Sequence, residues 1–309
     1  MSRLGRRDFC AGALGAAAMT GLGIPDVTAA SAPAPMARRP IPKSGALLGV
    51  VGVGTWLTFD VGDDADDRAR LGKVLETLFA AGGTVIDSSP MYRRAEGVVG
   101  DLVARGGTRA KAFLATKVWT DGEAAGRAQM AQSFSRLRTD RIELMQVHNL
   151  VDWRTQLKTM RAWREAGRFR YLGITHYTPS AFDELERVLR AEPLDFLQIP
   201  YSIMVTDAES RLLPLARDLG VAVIANRPFE GGDLFGRTRG RPLPDFAVEF
   251  DCASWAQFFL KYILGHEAMT CVIPGTDRPD HMADNAGAGR GRMPDADVRK
   301  RMVDFLSRI

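Results

Sequence analysis

The chain has 309 residues, 46% hydrophobic and 25% charged, with a formal net charge of +4. These values fit a protein able to bury a full core and exclude low-complexity disorder. Basic residues interleave with acidic ones (RLRTDRIE, RAEPLD, DVRKRM), a pattern of solvated helix faces that argues against a nucleic-acid-binding stripe.

Residues 1–30 differ from the rest. Arg3, Arg6 and Arg7 precede an apolar, small-residue run over 11–24, and Thr28, Ala29 and Ala30 follow. That is the grammar of an export signal. The pair Arg6-Arg7 followed by Asp8 and Phe9 resembles the twin-arginine motif, a receptor-read address for folded cargo in bacteria. The expectation is a twin-arginine-type signal peptide over 1–30 with cleavage near Ala30. The precursor would use the twin-arginine export machinery, and the mature protein would be periplasmic or otherwise exported. The plainer alternative is a basic leader beside an accidental apolar patch. The apolar run is too short and too rich in Gly and Ala for a permanent membrane span. Cleavage would take the formal charge from +4 to +3. It would also remove Cys10, leaving Cys252 and Cys271, too few for a disulfide framework.

Residues 31–44 are Pro- and Ala-rich and read as a flexible linker, which puts the folded domain at 45–309. After the linker, β-type apolar runs alternate with amphipathic helical patterns. Strands are expected at 50–53, 84–87, 113–117, 143–148, 171–175, 195–199, 221–225 and 269–273. Helices are expected between them, among others at 68–81, 129–137, 154–166, 181–189, 209–219 and 256–264. Gly82, Gly167 and Gly220 stand where helices stop, and Pro179 and Pro279 where helices begin. Eight such units without residues for a second domain predict α/β architecture, a single (β/α)8 TIM barrel. A doubly wound sheet is disfavoured because no Gly-x-Gly-x-x-Gly turn follows the first strand. The connection over 227–250 is unusually long and Gly/Pro-rich, and it leaves the carboxyl end of strand seven as a candidate lid. Cys252 and Cys271 fall at opposite ends of the intervening helix, so they should stay unbonded.

Four polar residues, Asp87, Tyr92, Lys117 and His148, lie at or just beyond the carboxyl ends of strands two, three and four (TVID-SSPMY, FLATK, ELMQVH). A parallel barrel brings all four to one rim, where such folds keep their chemistry. No metal is expected, since His148, His176, His266 and His281 lack ligand spacing with acids or cysteines. In this order the four residues resemble the catalytic tetrad of the aldo-keto reductase superfamily. The likeness extends through the Gly-Thr-Trp around Thr55, LGITHY ending at Tyr177, Gln198 and the IPGT segment at Thr276.

The resemblance implies hydride addition to a carbonyl, and the residue types fit that chemistry. The alkoxide formed must be protonated, and Tyr92 would supply the proton if Lys117 draws its phenol pKa toward neutrality. Asp87 would keep Lys117 charged, and His148 would donate to the substrate oxygen. The hydride requires a cofactor. The resemblance implies NADPH, with NADH the alternative, because Gly275 and His281 stand where the family often has Lys and Arg, leaving Arg278 as the remaining cation. It assigns cofactor contacts to Thr55, Trp56, Thr175, His176, Gln198, Asn226, Arg227, Gly275, Thr276, Arg278, His281 and Asn285. Trp56, Arg93 and Trp119 would line the pocket of a small-molecule carbonyl. Two other classes stay open: a nucleotide-binding regulatory barrel with negligible turnover, and a lyase forming a Schiff base on Lys117.

Overall fold

The computed structural model describes residues 34–309. The leader expected at 1–30, Cys10 and residues 31–33 lie outside the described residues. The first elements are an antiparallel hairpin of β1 (Arg38–Pro40) and β2 (Leu47–Gly49). There follow β3 (Val53–Gly54), α1 (Ala65–Ala81), β4 (Val85–Asp87), α2 (Ala95–Arg105), β5 (Phe113–Val118), α3 (Glu123–Arg136), β6 (Ile142–His148) and α4 (Trp153–Glu165). The second half runs β7 (Phe169–Thr175), α5 (Phe182–Ala191), β8 (Phe196–Pro200), α6 (Leu212–Asp218), β9 (Ala222–Asn226), α7 (Asp233–Thr238), α8 (Trp255–Leu264), β10 (Met269–Val272), α9 (Pro279–Gly287) and α10 (Ala296–Leu306).

Strands β3 to β10 pair in parallel in chain order, and the sheet closes through bridges from Val51 to Val272 and from Gly54 to Gly275. This is the single (β/α)8 barrel, with each helix between successive strands covering its outside. The first strand is shorter than its apolar run. Residues 50–52 use backbone groups for closure, Gly52 N–H to Val272 O at 2.9 Å and Val272 N–H to Val50 O at 2.9 Å, and β10 is irregular between Met269 and Cys271. The helix expected at 209–219 begins only at Leu212, after a short 3-10 turn (Asp207–Ser210). Pro214 explains this, because proline has no N–H and fits a helix only in its first turn. Gly82 ends α1 at φ 97°, the left-handed region that glycine enters without strain.

Side chains alternate inward and outward along each strand. Val85, Phe113, Ala115, Leu144, Tyr171, Phe196, Ala222, Ile224, Cys271 and Ile273 form one interior cluster. Phe113, Tyr171 and Phe196 fill the amino end, with ring centroids 5.5 to 6.0 Å apart. The same period of two, continued toward the carboxyl ends, points Asp87, Lys117, Gln146, His148, Thr175, Gln198 and Asn226 into the barrel mouth. An apolar floor thus gives way to a polar rim.

Two expectations are corrected. The supposed linker is, from Arg38 onward, part of the barrel floor. Ile41 and Leu48 join the interior cluster, Arg39 donates to the carbonyls of Leu264, His266 and Met269, and Ser44 Oγ lies 2.8 Å from Tyr171 Oη. Its Pro and Ala content concealed Ile41, which the barrel floor buries together with Leu48 of the following strand. The connection over 227–250 is likewise no free lid. Two 3-10 turns (Glu230–Gly232 and Asp245–Phe250) flank α7. Phe229 and Phe235 pack on Phe259 at 6.4 and 5.8 Å, and Phe246 and Phe250 pack on Phe258 at 6.3 and 5.9 Å. Aromatic contact pins the segment to α8. Cys252 and Cys271 are both buried free thiols. Among the described residues no helix is long and apolar enough to cross a membrane.

Candidate active site

The barrel register assembles the four rim residues. Asp87 ends β4 opposite Ala115, Lys117 pairs with Gln146, and His148 with Thr175, so the inward side chains of three adjacent strands converge. Tyr92 lies on the loop after β4. Hydrogen bonds from Ser88 N–H to Ala115 O at 2.9 Å and from Tyr92 N–H to Ser89 O at 3.0 Å turn that loop back over the mouth. The Tyr92 ring then stands edge-on to His148, centroids 6.0 Å apart, with Lys117 Nζ 5.0 Å from its centre.

Lys117 is wholly buried and donates to Asp87 Oδ2 at 2.7 Å and to Ser88 O at 2.6 Å. Burial alone would lower its pKa, but the adjacent Asp87 carboxylate overrides that and holds the ammonium above its ordinary range. Burial, assisted by the Lys117 charge, drives His148 down to about 2, so its imidazole is neutral. Ser89 Oγ accepts from the Met91 N–H and sits 3.2 Å from His148 Nδ1. A Ser89 hydroxyl that donates to Nδ1 places the imidazole proton on Nε2. The expectation for Tyr92 is corrected: burial pushes its phenol up, and the opposing pull of Lys117 only partly offsets this. The phenol is therefore protonated at neutral pH, the form a proton donor needs.

Asp87 is held more firmly than a lone ion pair would require. Its Oδ1 accepts from the Gln198 amide at 2.8 Å and the Gln146 amide at 3.3 Å. Gln198 thus braces Asp87, and its Oε1 accepts from Thr175 Oγ1 at 3.0 Å. Thr55, also expected to meet the cofactor, clamps the rim by donating to Asp87 O at 3.0 Å, with Ser88 Oγ hydrogen-bonded to the same hydroxyl at 3.0 Å. Gln146 and Ser89 were absent from the sequence-based set. Gln146 carries a readable signal, since it stands two residues before His148 and so shares its inward face.

The remaining residues separate by place. His176 Nδ1 accepts from the Tyr177 and Thr178 N–H groups, each at 3.1 Å, which leaves the proton on Nε2. Asn226 donates to His176 O at 3.1 Å, and its Oδ1 is buried without a partner. Arg227 is exposed beside it, in the left-handed region at φ 50°. Trp119 lies 6.3 Å from His148 and is half exposed, as is Trp56 on the loop after β3. Arg93 is exposed and reaches Asp60 at 3.3 Å. Gly275 and His281 are exposed around the start of α9, Thr276 is buried there, and Asn285 is buried one turn on. Arg278, the expected free cation, is paired with Asp280.

The family model described as "Aldo/keto reductase family" matches residues 50–301. An aldo-keto reductase of Strobilurus tenacellus is 30% identical over 291 residues, covering 81% of this chain and 84% of that protein. An aldo-keto reductase of Bacillus subtilis (strain 168) is 28% identical over 202 residues, 60% of each chain. The solved aldo/keto reductase of Klebsiella pneumoniae, in complex with NADP and acetate, superposes with a TM-score of 0.72 at 23% identity, covering 85% of this chain and 93% of that one. With its barrel matched end to end, the chain belongs to the aldo/keto reductase family.

Proposed function

We propose that this protein is an oxidoreductase that reduces an aldehyde or ketone to the alcohol with a nicotinamide dinucleotide, Tyr92 delivering the proton. The observation that carries this reading is the meeting of a charged ammonium, a protonated phenol and a neutral imidazole in one mouth. Family membership and the NADP bound by the Klebsiella relative support the cofactor class.

The residues present fit such a group. Asn226 Oδ1 is a buried acceptor lacking a partner, and the neighbouring His176 offers an Nε2–H donor. A carboxamide needs one of each. Asn285 is buried, and its side chain makes no hydrogen bond among the described residues. It lies on α9, the helix after the last strand, whose amino end is where such barrels take phosphate.

When bound, the reduced nicotinamide supplies the hydride. His148 Nε2–H orients and polarises the carbonyl oxygen, and as charge grows there Tyr92 Oη gives up its proton to it. The Lys117 ammonium stabilises the phenolate left behind, and Asp87, braced by Gln146 and Gln198, keeps that ammonium charged and in place. The same pairing disfavours the lyase reading, because a Schiff base requires a neutral amine and Lys117 is held protonated.

Incubation with a panel of aryl and alkyl aldehydes and either reduced dinucleotide tests the proposal, alcohol formation being the expected result. Nucleotide binding without turnover on any aldehyde would instead favour a regulatory barrel, and borohydride trapping of substrate on Lys117 would favour a lyase. Because His148 stays neutral, kcat/KM should show no His148 ionisation between about pH 5 and pH 8. An ionisation in that interval that vanishes in His148→Gln would contradict the neutral assignment.

A further inference from the structure

We propose that the nucleotide end of the site selects against a 2′-phosphate, so that this protein takes NADH in preference to NADPH. The inference rests on the nicotinamide-dependent reading above and concerns the turn Gly275-Thr276-Asp277-Arg278-Pro279-Asp280, which joins β10 to α9.

A phosphate at this turn needs cations that are not already engaged. Arg278 is the only cationic side chain of the turn, and Asp280 grips it at both ends, Nε to Oδ1 at 3.1 Å and Nη2 to Oδ2 at 2.5 Å. The other guanidinium that reaches the turn is Arg70 of α1. It donates to Asp277 O at 3.2 Å, lies 3.5 Å from Asp277 Oδ2, and is shared with Asp67 at 2.7 Å. Gly275 contributes no side chain. One turn into α9 stands a further carboxylate, Asp284, held by Ser254 Oγ and the Gln257 amide, each at 2.7 Å.

Two guanidinium groups therefore meet three carboxylates, Asp67, Asp277 and Asp280, with Asp284 a fourth one turn further along α9. The helix amino end adds only about half an elementary positive charge. A single exposed pair such as Arg278–Asp280 is weak and would exchange partners readily. The discrimination comes from what remains after exchange: a 2′-phosphate carrying about −1.5 to −2 would sit among carboxylates that keep their charge. A ribose 2′-hydroxyl, being neutral and a donor, meets acceptors there. An acidic side chain on that hydroxyl is how other dinucleotide sites favour the unphosphorylated form.

The test is equilibrium binding of NADH and NADPH to the protein without carbonyl substrate, followed by quenching of tryptophan fluorescence. NADH should bind about tenfold tighter or more at low ionic strength, with the gap narrowing as salt screens the repulsion. The exposed double variant Asp277→Asn/Asp280→Asn frees Arg278 and should bring the two affinities to within about threefold or reverse them. NADPH binding as tightly as NADH, or tighter, would overturn the inference and leave the reductase reading intact. An unchanged ratio in the double variant would overturn it too, by removing the assigned cause. Failure of both dinucleotides to bind would instead bring down the nicotinamide reading, and this inference with it.

Discussion

Tyr92→Phe is expected to lower the rate of carbonyl reduction by about a hundred- to ten-thousandfold, the usual contribution of a positioned proton donor. The ring and its contacts with His148 and Lys117 survive in phenylalanine, so the fold and the mouth keep their shape. Only the ionisable hydroxyl is lost. Dinucleotide affinity should stay within about threefold, because binding uses other residues, and the loss should appear in kcat. Steady-state kinetics beside fluorescence titration of the dinucleotide separates the two quantities. Turnover close to that of the parent protein would remove Tyr92 from the chemistry.

The second large effect is on stability. Asp87→Asn leaves the Lys117 ammonium buried without its counter-charge, facing only neutral acceptors such as the Ser88 carbonyl. Breaking a buried pair from one side costs about 3–5 kcal/mol, so the urea midpoint should fall markedly near neutral pH. The pH dependence supplies a second signature. In the parent protein the Lys117 pKa lies above its ordinary 10.5. The stabilisation it gives is therefore complete below about pH 10 and lost only as pH rises through the folded value. In Asp87→Asn, burial, the largest cause, is opposed only by Tyr92 and should lower that pKa, so the folded state binds fewer protons than the unfolded chain. Its stability should rise with pH where the parent's contribution is flat. A variant as stable as the parent, or one whose deficit grows with pH, would show that the pair does not organise the rim as described.

Much of this was legible in the sequence, for identifiable reasons. The alternation of apolar runs with helical patterns carries the barrel, and barrel order alone brings Asp87, Lys117 and His148 to one end. What escaped depends on contacts between distant segments. No spacing shows that Gln198 turns its amide to Asp87, 111 residues away, or that Arg70 of α1 reaches Asp277. The Tyr92 phenol was expected to shift down because its cationic neighbour is visible in the motif, whereas the burial that outweighs that neighbour arises only once the loop folds back. The floor hairpin was hidden by composition: Pro and Ala suggested a linker, and the paired burial of Ile41 and Leu48 has no local signature. The segment 227–250 misled similarly, since its four phenylalanines become anchors only against Phe258 and Phe259. The export reading of residues 1–30 rests on sequence grammar alone.

In the proposed reaction a reduced dinucleotide held at the barrel mouth would pass hydride to a carbonyl carbon while Tyr92 protonates its oxygen. The most direct measurement supplies the protein with an aldehyde and a reduced dinucleotide bearing deuterium at the transferable position, and weighs the product by mass spectrometry. The expected product is the alcohol with one deuterium on the former carbonyl carbon, formed by the parent protein and nearly absent with Tyr92→Phe. An alcohol without label, or no alcohol from either protein while borohydride traps substrate on Lys117, would contradict it.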